Sequence, residues 1–415
     1  MSFRSIAAIC ACVFAGFAAC AAGAVAQCPS TVAKPAAAGS PPVTPPGLTV
    51  PAGLRIATIA QIPRARELAA LPNGDLLVGT QSRDVYLVPD AESARPGRPL
   101  IFATAPDDIA AGVAFSARRC EIYIATENAI FSTPYANGRR LAEKLRRIAS
   151  VRTGPIAPHS DGDVHRTTSV AFSDKTDTLF AGVGSSCNAC VEIDPTRAAI
   201  LQMTPAGGNV VKKATRIRNP IALTIDPQSG DLWAGNAGQD DLPFGHPYEF
   251  IDDVSSHPGV ADYGWPECEE LRIAYVAGAN CANVVVALAV LPAYSTIVGA
   301  VIYPAKQHGA FAFPAAYRGA LFATAHGSWH PTPNRTTYAA IPQVVTFAMR
   351  AGRPATPVDW HDPRAQWKVF VGGFQRDQRE RVGRPTGIAV GAQGSLFVAD
   401  DTSGKVYRIR PAAPR

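Results

Sequence analysis

The chain has 415 residues, of which 47% are hydrophobic and 17% are charged, a composition typical of a folded globular protein. Its formal net charge of +6 is small for this length, and no segment groups Lys and Arg with aromatic residues. The sequence therefore predicts no nucleic-acid partner.

The first 26 residues have the features of a secretory signal peptide. Arg4 precedes an apolar, alanine-rich run that closes in Ala24-Val25-Ala26, a small-x-small cleavage pattern. We expect residues 1–26 to be removed and the mature protein to be periplasmic or secreted, with no transmembrane span. A retained membrane anchor and lipid attachment at Cys20 are the alternatives.

A proline-rich segment follows, residues 27–51, with seven prolines between residues 29 and 52. This composition is typical of an extended linker without a core of its own, which would space the protein from a membrane. The remaining residues, 52–415, are predicted to form the folded, catalytic domain.

Removal of the signal peptide would leave six of the nine cysteines, an even number that indicates disulfides in an exported protein. Cys187 and Cys190 form a C-x-x-C motif. However, Val191 stands where a c-type haem motif requires histidine, and no second ligand pair for zinc is obvious. The sequence instead predicts a short disulfide between these two cysteines. The other predicted pairs are Cys268–Cys281 and, by elimination, Cys28–Cys120.

A strand–turn–strand pattern recurs six times along the chain. Turn signals such as Asn-Gly-Asp and Ser-Gly-Asp separate two apolar runs, as in β-hairpins. Six units predict an all-β fold, a six-bladed β-propeller, in which the early strand 53–60 pairs with the last blade. Two β-sandwiches or a β-helix are the alternatives, and helical spacing is confined to residues 141–150. The copies are ELAALPNGDLLVGT (67–80), AAGVAFSARRCEIYIAT (110–126), TTSVAFSDKTDTLFAGV (167–183), IALTIDPQSGDLWAGN (221–236), GAVIYPAKQHGAFAFPAAYRGALFAT (299–324) and TGIAVGAQGSLFVADD (386–401).

A propeller has a funnel at one end of its axis, surrounded by the loops that join its blades. Polar residues precede the first strand of each repeat, and His165 holds the same place in its repeat as Arg218 and Arg384 in theirs. His165 is therefore a candidate base, although an isolated histidine in a polar loop is more commonly structural. The predicted funnel residues are Arg64, Arg66, Asp107, Asp108, His165, Arg218, Asn219, Thr296 and Arg384.

Several enzyme classes leave no motif in this chain. No G-x-G-x-x-G opens a helix after a strand, no serine lies in a nucleophile elbow, and neither H-E-x-x-H nor an EF-hand loop occurs. The loop 234–244 combines glycines with Asp240 and Asp241, and such oxygen-rich loops suit Ca²⁺, although a solvated turn has the same composition. Arginines that converge on a funnel favour an anionic ligand such as a cofactor with several carboxylates.

Longer motifs in a fixed order carry a family resemblance. They are GVAFSARRCEIYIA, HRTTSVAFS with LFAGVGSSCNAC, RIRNPIALTIDPQSGDLWAGNAGQDDLP, DYGWPEC, FPAAYRGALFATAHGSWH, and GRPTGIAV with GSLFVADDTSGKVYRI. Over residues 52–411 the chain resembles the soluble quinoprotein glucose/sorbosone dehydrogenases, particularly the L-sorbosone dehydrogenase-like branch. This resemblance implies a six-bladed propeller that holds pyrroloquinoline quinone (PQQ) and Ca²⁺ in its funnel.

The resemblance also implies roles for individual residues. His165 matches the general base, which takes the proton of a sugar hydroxyl as hydride leaves the adjacent carbon. Arg218 and Asn219 match residues that lie against the quinone oxygens, where Arg218 would stabilise charge as the ring is reduced.

Two metal sites are implied in the same way. The backbone carbonyls of Gly238 and Gln239 match the ligands of the Ca²⁺ that polarises the quinone carbonyl. Glu249 and Tyr263 resemble residues of a second, structural Ca²⁺ site.

The fifth blade departs from the family pattern. Glucose-oxidising members carry a lysine and two arginines that grip the quinone, whereas this chain offers Lys306, His326 and His330, with Arg335 farther along. The residues expected to contact the cofactor besides Arg218 and Asn219 are Arg66, Lys306, Arg384 and Trp329, of which Trp329 would stack on a flat ring.

The sequence thus predicts a PQQ- and Ca²⁺-dependent dehydrogenase that oxidises an aldose or a related sugar or aldehyde. Because the chain has no haem motif, electrons would pass to an external acceptor, a periplasmic cytochrome or a quinone. The alternatives are a Ca²⁺-dependent lactonase-type hydrolase and a non-catalytic sugar-binding propeller. A hydrolase needs carboxylates and amides around one metal, a pattern that His165 and the funnel arginines fit poorly.

Overall fold

The computed structural model describes residues 28–31, 37–154, 165–243, 245–329, 340–377 and 380–412. Within these ranges the chain is almost entirely β-structure, with three short 3-10 helices at Val254–Ser256, Ala315–Tyr317 and Pro363–Gln366. No helix in the described part of the chain is long and apolar enough to cross a membrane. The predicted signal peptide lies outside the described residues.

The strands form six larger sheets, the blades, given from the innermost strand outwards. Blade 1 contains β2 (Ala65–Ala70), β3 (Leu76–Thr80), β4 (Asp84–Val88) and β5 (Leu100–Thr104), and blade 2 contains β6 (Gly112–Ser116), β7 (Glu121–Ala125), β8 (Ala129–Pro134) and β9 (Arg146–Ser150). Blade 3 contains β10 (Thr168–Ser173), β11 (Thr178–Val183), β12 (Ala199–Met203), β13 (Val211–Thr215) and β17 (Ala261–Asp262), and blade 4 contains β14 (Ala222–Ile225), β15 (Leu232–Gly235), β16 (Glu249–Asp253) and β20 (Ala289–Leu291). Blade 5 contains β21 (Ile297–Ile302), β22 (Leu321–Ala325), β23 (Gln343–Phe347) and β26 (Trp367–Val371), and blade 6 contains β27 (Pro385–Val390), β28 (Leu396–Asp400), β29 (Lys405–Pro411) and β1 (Leu54–Gln61). Two small hairpins pair β18 (Cys268–Glu269) with β19 (Ile273–Ala274) and β24 (Met349–Arg350) with β25 (Arg353–Pro354).

The six blades close into a ring. The innermost strands β2, β6, β10, β14, β21 and β27 contact one another in that order, and β27 contacts β2. Strand β1 pairs antiparallel with β29, so that the first and last strands of the chain share blade 6. The predicted six-bladed β-propeller and its closure by the early strand are confirmed.

Glycines let the innermost strands approach closely near the axis. A Cβ atom added to Gly112 would lie 2.4 Å from the carbonyl oxygen of Thr168 in the next blade. One added to Gly387 would lie 2.1 Å from the carbonyl oxygen of Arg66. A side chain at either position would force two blades apart, which explains a glycine near the start of these strands.

Apolar side chains fill the spaces between the blades. Between blades 5 and 6, Phe322 and Phe370 meet edge to face with ring centroids 4.7 Å apart, and Phe313 stacks on Tyr303 at 4.9 Å. All four rings are buried. These rings fill the space between the two blades and form part of the core.

The described part of the proline-rich segment runs along the outside of the propeller. It contacts the propeller through isolated bridges. Single bridges join Ser30 to Asn137, Ala38 to Gly97, Val43 to Thr58 and Thr49 to Gly372.

The structure contains three disulfides, in the same pairs that the sequence predicts. Their Cα–Cα distances, 5.4–6.1 Å, lie in the range that disulfide geometry requires. The pairs are Cys28–Cys120, Cys187–Cys190 and Cys268–Cys281.

The helix predicted over residues 141–150 does not form. Residues 141–145 are a loop, and residues 146–150 are β9, the outermost strand of blade 2. Ala142 and Leu145 pack on the core between blades 1 and 2. Pairing with β8 satisfies the backbone of the following residues, so tertiary structure overrides the helical spacing.

Glu67, in β2, is expected to make the stability of the propeller depend on pH. Burial raises the pKa of its carboxyl to about 8, and its Oε1 is buried without a hydrogen-bond partner among the described residues. The unfolded chain loses this proton at lower pH than the folded chain, so the free energy of unfolding should fall between about pH 5 and 8. Glu67→Gln should reduce this slope by up to about 1.4 kcal/mol per pH unit, measured by chemical denaturation. Equal slopes in both proteins would contradict the prediction.

Candidate active site

All six innermost strands begin at one end of the propeller, which we call the funnel end. Contacts join the starts of neighbouring strands around the whole ring. They are Glu67–Ala111, Gly112–Thr168, Ser169–Ile221, Gly299–Thr386 and Gly387–Arg66. Between blades 4 and 5 the contact is Gly235–Ile297, where Gly235 ends β15 and pairs with Ala222 at the start of β14. Each of the predicted residues Arg66, His165, Arg218, Asn219 and Arg384 precedes or begins an innermost strand, so the structure brings all five to the funnel end.

His165 is held by Ser185 in the loop that follows β11. The backbone N–H of His165 donates to the carbonyl of Ser185 at 3.1 Å, and its Nδ1 lies 2.9 Å from the Ser185 Oγ and 3.2 Å from the same carbonyl. Ser185 Oγ donates its own proton to the carbonyl of Cys187 at 2.7 Å. Both groups that face Nδ1 must therefore accept, so Nδ1 carries the proton and Nε2 is the unprotonated nitrogen.

The surroundings of His165 keep its imidazole neutral. Burial, followed by the positive charge of Arg218, holds the pKa of His165 well below its usual value, while the Ser185 hydrogen bond opposes this shift only in part. A neutral imidazole with a free Nε2 is a proton acceptor over the whole neutral pH range.

Asn219 lies beside His165. A Cβ atom added to Gly184 would lie 2.4 Å from the Cβ of His165 and 2.7 Å from the Oδ1 of Asn219, so the two side chains flank this glycine. The backbone N–H of Asn219 donates to Asn236 Oδ1 at 2.9 Å. A histidine and an amide thus stand side by side where blades 3 and 4 meet.

Arg218 is buried, and its guanidinium points to the loop that follows β15. Its Nη1 donates to the carbonyl of Gly238 at 2.6 Å, and its Nη2 forms a salt bridge with Asp240 at 3.1 Å. Its Nε and Nη2 also donate to the backbone and side-chain oxygens of Asn188. In this structure Arg218 therefore braces the funnel wall between blades 3 and 4.

The Gly238 carbonyl is a poor Ca²⁺ ligand in this arrangement, because it already faces the Arg218 guanidinium. Behind it, two carboxylates meet: the Oε2 atoms of Glu249 and Glu269 lie 3.7 and 3.8 Å from the Cβ position of Gly238. Burial raises the pKa of each of these carboxyls to about 8. The Oε1 atoms of Glu269 and Gln239 are buried without a hydrogen-bond partner in the described part of the chain. The carboxyl oxygens of Glu249 and Glu269 suit a hard cation better than the Gly238 carbonyl does.

Tyr263 does not belong to this group of oxygens. Its hydroxyl donates to Asp252 at 2.9 Å and its ring stacks on Phe250, whereas Glu249 accepts from the N–H of Gly238. Because side chains alternate along β16, the neighbours of Tyr263 lie on the opposite face of this strand from Glu249. The structure thus corrects the predicted pairing of Glu249 with Tyr263 and brings Glu269 to that place.

A second polar cluster lies between blades 5, 6 and 1. Asp401 accepts hydrogen bonds from Arg66 Nη1 at 2.9 Å and from His326 Nε2 at 3.0 Å. Arg384 donates from Nε and Nη2 to the backbone carbonyls of His326 and Gly327, at 2.9 and 2.6 Å. Burial lowers the pKa of His326 to about 4, so Asp401 accepts from a neutral imidazole.

Positive charge exceeds negative charge beside Arg384. Burial and the nearby charge of Arg381 lower the pKa of Arg384 to about 10, which leaves it protonated at neutral pH. Arg381 donates only to neutral oxygens of Gln375 and Ser328 among the described residues. Arg384 likewise forms no salt bridge within the described chain, so both guanidiniums suit an anionic ligand.

Lys306 lies at the opposite end of the propeller. It follows the far end of β21, a strand of six residues that spans about 20 Å. There it lines a cavity of about 800 Å³ between blades 4 and 5, together with Asp231, Asp253 and Arg353. This placement corrects the prediction that Lys306 contacts the cofactor. Trp329, in contrast, follows β22 at the funnel end and is 59% exposed.

Sequence reasoning missed several residues of this end of the propeller. Asp401 lies in GSLFVADDTSGKVYRI and Asn188 in LFAGVGSSCNAC, motifs that carry the family resemblance but to which no individual role was assigned. Glu269 follows the DYGWPEC motif directly. No local signal marks Ser185 or Arg381. His330 and Arg335 lie outside the described residues.

Comparisons with known proteins bear on this arrangement. No protein-family profile matches the chain. An uncharacterized protein from Borreliella burgdorferi is 24% identical over 267 residues, which are 61% of this chain and 62% of that protein. The match thus spans less than two thirds of the length of that relative.

Solved structures match over a larger part of the chain. The holo form of the PQQ domain of pyranose dehydrogenase from Coprinopsis cinerea has a TM-score of 0.71 at 18% identity, covering 88% of this chain and 98% of that one. A calcium structure of a Trichoderma reesei carbohydrate-active enzyme of family AA12 has a TM-score of 0.70 at 17% identity, covering 89% and 98%. The apo form of the soluble aldose sugar dehydrogenase from Escherichia coli has a TM-score of 0.59 at 16% identity, covering 86% and 99%.

The fold is that of a class of six-bladed propellers that includes soluble sugar dehydrogenases. Among them, the chain resembles the soluble quinoprotein dehydrogenases, and this predicted resemblance is confirmed at the level of the fold.

Proposed function

We propose that the protein is a quinoprotein dehydrogenase that binds PQQ and Ca²⁺ at the funnel end and oxidises an aldose or a related sugar or aldehyde. The observation that carries this proposal is His165, whose Nδ1 is held by Ser185 so that Nε2 is the unprotonated nitrogen, with the Asn219 side chain next to it across Gly184. The likeness in fold to the PQQ domain of a pyranose dehydrogenase supports it.

The residues of the funnel fit a cofactor that carries several carboxylates. Arg384 and Arg381 bond only to neutral oxygens in the described chain, so each has positive charge available for a carboxylate. Arg66, which is paired with Asp401, would add positive charge to the same part of the funnel. When bound, PQQ would supply a two-electron acceptor for the hydride of the sugar.

The chain's own part in the reaction is to position the sugar and to remove a proton. His165 Nε2 would accept the hydroxyl proton while the carbon–hydrogen electron pair leaves the same sugar carbon, so that a carbonyl forms. The Asn219 amide would hold the hydroxyl or the adjacent oxygen, and Arg218 would keep the imidazole neutral before the reaction.

The cation would be held chiefly by Glu249, Glu269 and Gln239. The Glu249 and Glu269 carboxyls have raised pKa values, and Glu269 Oε1 has no hydrogen-bond partner in the described chain, a need that divalent binding would satisfy. The buried Oε1 of Gln239, the residue after Gly238, would complete the ligands. Ca²⁺ would bind there as the two protons leave, which makes its affinity rise with pH.

Titration of the mature protein with PQQ in Ca²⁺ buffer tests the proposal. We expect one PQQ per chain by calorimetry, dye-linked oxidation of at least one aldose, and loss of PQQ binding in EDTA. In Glu269→Gln, the Ca²⁺ concentration that gives half-maximal PQQ binding should rise by about 10-fold or more. Absence of PQQ binding by a protein that is folded by circular dichroism would refute the proposal. Sugar binding without turnover would favour the non-catalytic alternative.

A further inference from the structure

The loop between Gly184 and Cys190 contacts both parts of the candidate active site. Ser185 holds His165, as described above. Three residues later, Asn188 contacts Arg218 and Asp240. One short segment of blade 3 therefore links the proposed base to the charged wall of blade 4.

Asn188 uses its backbone carbonyl and its whole side chain in these contacts. Its carbonyl accepts from Arg218 Nε at 3.1 Å and from Trp265 Nε1 at 3.0 Å. Its Oδ1 accepts from Arg218 Nη2 at 2.9 Å and from the N–H of Asp240 at 2.8 Å, and its Nδ2 donates to the carbonyl of Asp240 at 3.1 Å. The side chain thus fixes both partners of the Arg218–Asp240 salt bridge.

The Cys187–Cys190 disulfide encloses Asn188 in a four-residue ring. Cys187 is 3% exposed and packs against Trp265 and Ala198. Its carbonyl accepts the hydrogen bond of the Ser185 hydroxyl. The Ser185 Oγ must therefore accept from His165, which places the imidazole proton on Nδ1. Glu192, just beyond the ring, accepts hydrogen bonds from the N–H and Oγ of Ser186, so the loop is closed on both sides.

We propose that Asn188 is a positioning residue and that the Cys187–Cys190 disulfide keeps it, Arg218 and His165 in the arrangement that proton removal requires. This inference rests on the proposed function. Its consequence is that activity depends on an oxidised disulfide, since opening the ring frees the Cys187 carbonyl and Asn188 together.

The inference predicts a defect that loss of stability would not cause. In Asn188→Ala, Arg218 loses one hydrogen bond and Asp240 loses two. Arg218 keeps its contacts to backbone carbonyls and to Asp240, but its guanidinium is fixed less firmly near His165. We expect kcat to fall about 10- to 100-fold at saturating PQQ. The acid limb of the pH profile of kcat/KM should move to higher pH, because a displaced Arg218 depresses the pKa of His165 less.

A pair of disulfide variants provides the matched comparison. Cys187→Ser/Cys190→Ser should reproduce the loss of kcat and the shifted acid limb. Cys28→Ser/Cys120→Ser opens a disulfide between the N-terminal segment and blade 2, so it should lower the melting temperature and leave the acid limb unchanged. Equal acid limbs in wild type, Asn188→Ala and Cys187→Ser/Cys190→Ser would overturn the inference.

A readout without turnover separates this inference from the proposed function. The imidazole of His165 can be titrated by NMR on histidine-labelled protein, with its signal assigned by its loss in His165→Ala. A higher pKa in Asn188→Ala than in wild type would support the positioning role even if no sugar is oxidised. An unchanged pKa, with kcat also unchanged where turnover is measurable, would refute the role and leave the proposed function intact.

Discussion

His165→Ala is expected to lower kcat for sugar oxidation by about 10²- to 10⁴-fold, the usual contribution of a general base. The His165 imidazole offers an unprotonated nitrogen, Nε2, because the Ser185 Oγ and carbonyl hold the proton on Nδ1. Affinity for PQQ should change little, since the alanine variant keeps the arginines of the second cluster. A dye-linked assay at saturating PQQ, with calorimetry for binding, measures both effects.

His257→Ala is the matched control for this prediction. His257 bonds to Asp252 on the side of blade 4 where Tyr263 packs, and so does not face the funnel. It should change stability and leave kcat unchanged. In wild type, kcat/KM should stay constant down to below about pH 6.5, because the depressed pKa of His165 keeps it unprotonated there. Wild-type turnover in His165→Ala would exclude His165 as the base.

Arg384→Met is expected to weaken PQQ binding by about 10- to 100-fold, the effect of losing a charge-assisted contact to a carboxylate. In the described chain the Arg384 guanidinium bonds only to the carbonyls of His326 and Gly327, so its charge is available to a ligand. Removing that charge should also raise the pKa of the neighbouring His326, which Arg384 helps to depress. Calorimetric titration with PQQ in Ca²⁺ buffer measures the change in affinity.

The control for Arg384 lies at the other end of the propeller. Arg353 lines the cavity between blades 4 and 5 with Lys306, so Arg353→Met removes the same charge far from the funnel. Its affinity for PQQ should equal that of wild type. Equal affinities in Arg384→Met and wild type would show that the second cluster does not hold the cofactor, and the proposed site would then have to be confined to blades 3 and 4.

Much of the architecture could be predicted from the sequence, because hairpins are encoded locally. Paired apolar runs separated by turn signals such as Asn73-Gly74-Asp75 specify each strand pair without reference to the rest of the chain. The even set of cysteines led to the same pairs that the structure contains. The helix predicted over 141–150 was wrong because residues 146–150 pair with β8 as strand β9. This pairing is a tertiary contact, which the spacing of apolar residues along the segment does not indicate.

The position of a residue within its repeat also determined which end of the propeller it occupies. His165, Arg218 and Arg384 come directly before innermost strands, and all such positions meet at the funnel end. Lys306 follows an innermost strand and therefore lies at the other end. The position of Lys306 after an innermost strand thus already indicates in the sequence that it lies away from the funnel end.

Which side chains meet was decided by the tertiary structure alone. Arg218 faces Asp240 of its own blade and Asn188 of blade 3, and Asp401 links Arg66 to His326. Glu249 and Glu269 both approach Gly238. The sequence by itself determined six hairpin repeats, a closing strand and a polar residue at the start of most blades, because each of these depends on neighbours along the chain. Contacts between blades depend on the angle between neighbouring blades. That angle is set only when the ring closes, so the sequence of a single repeat does not determine these contacts.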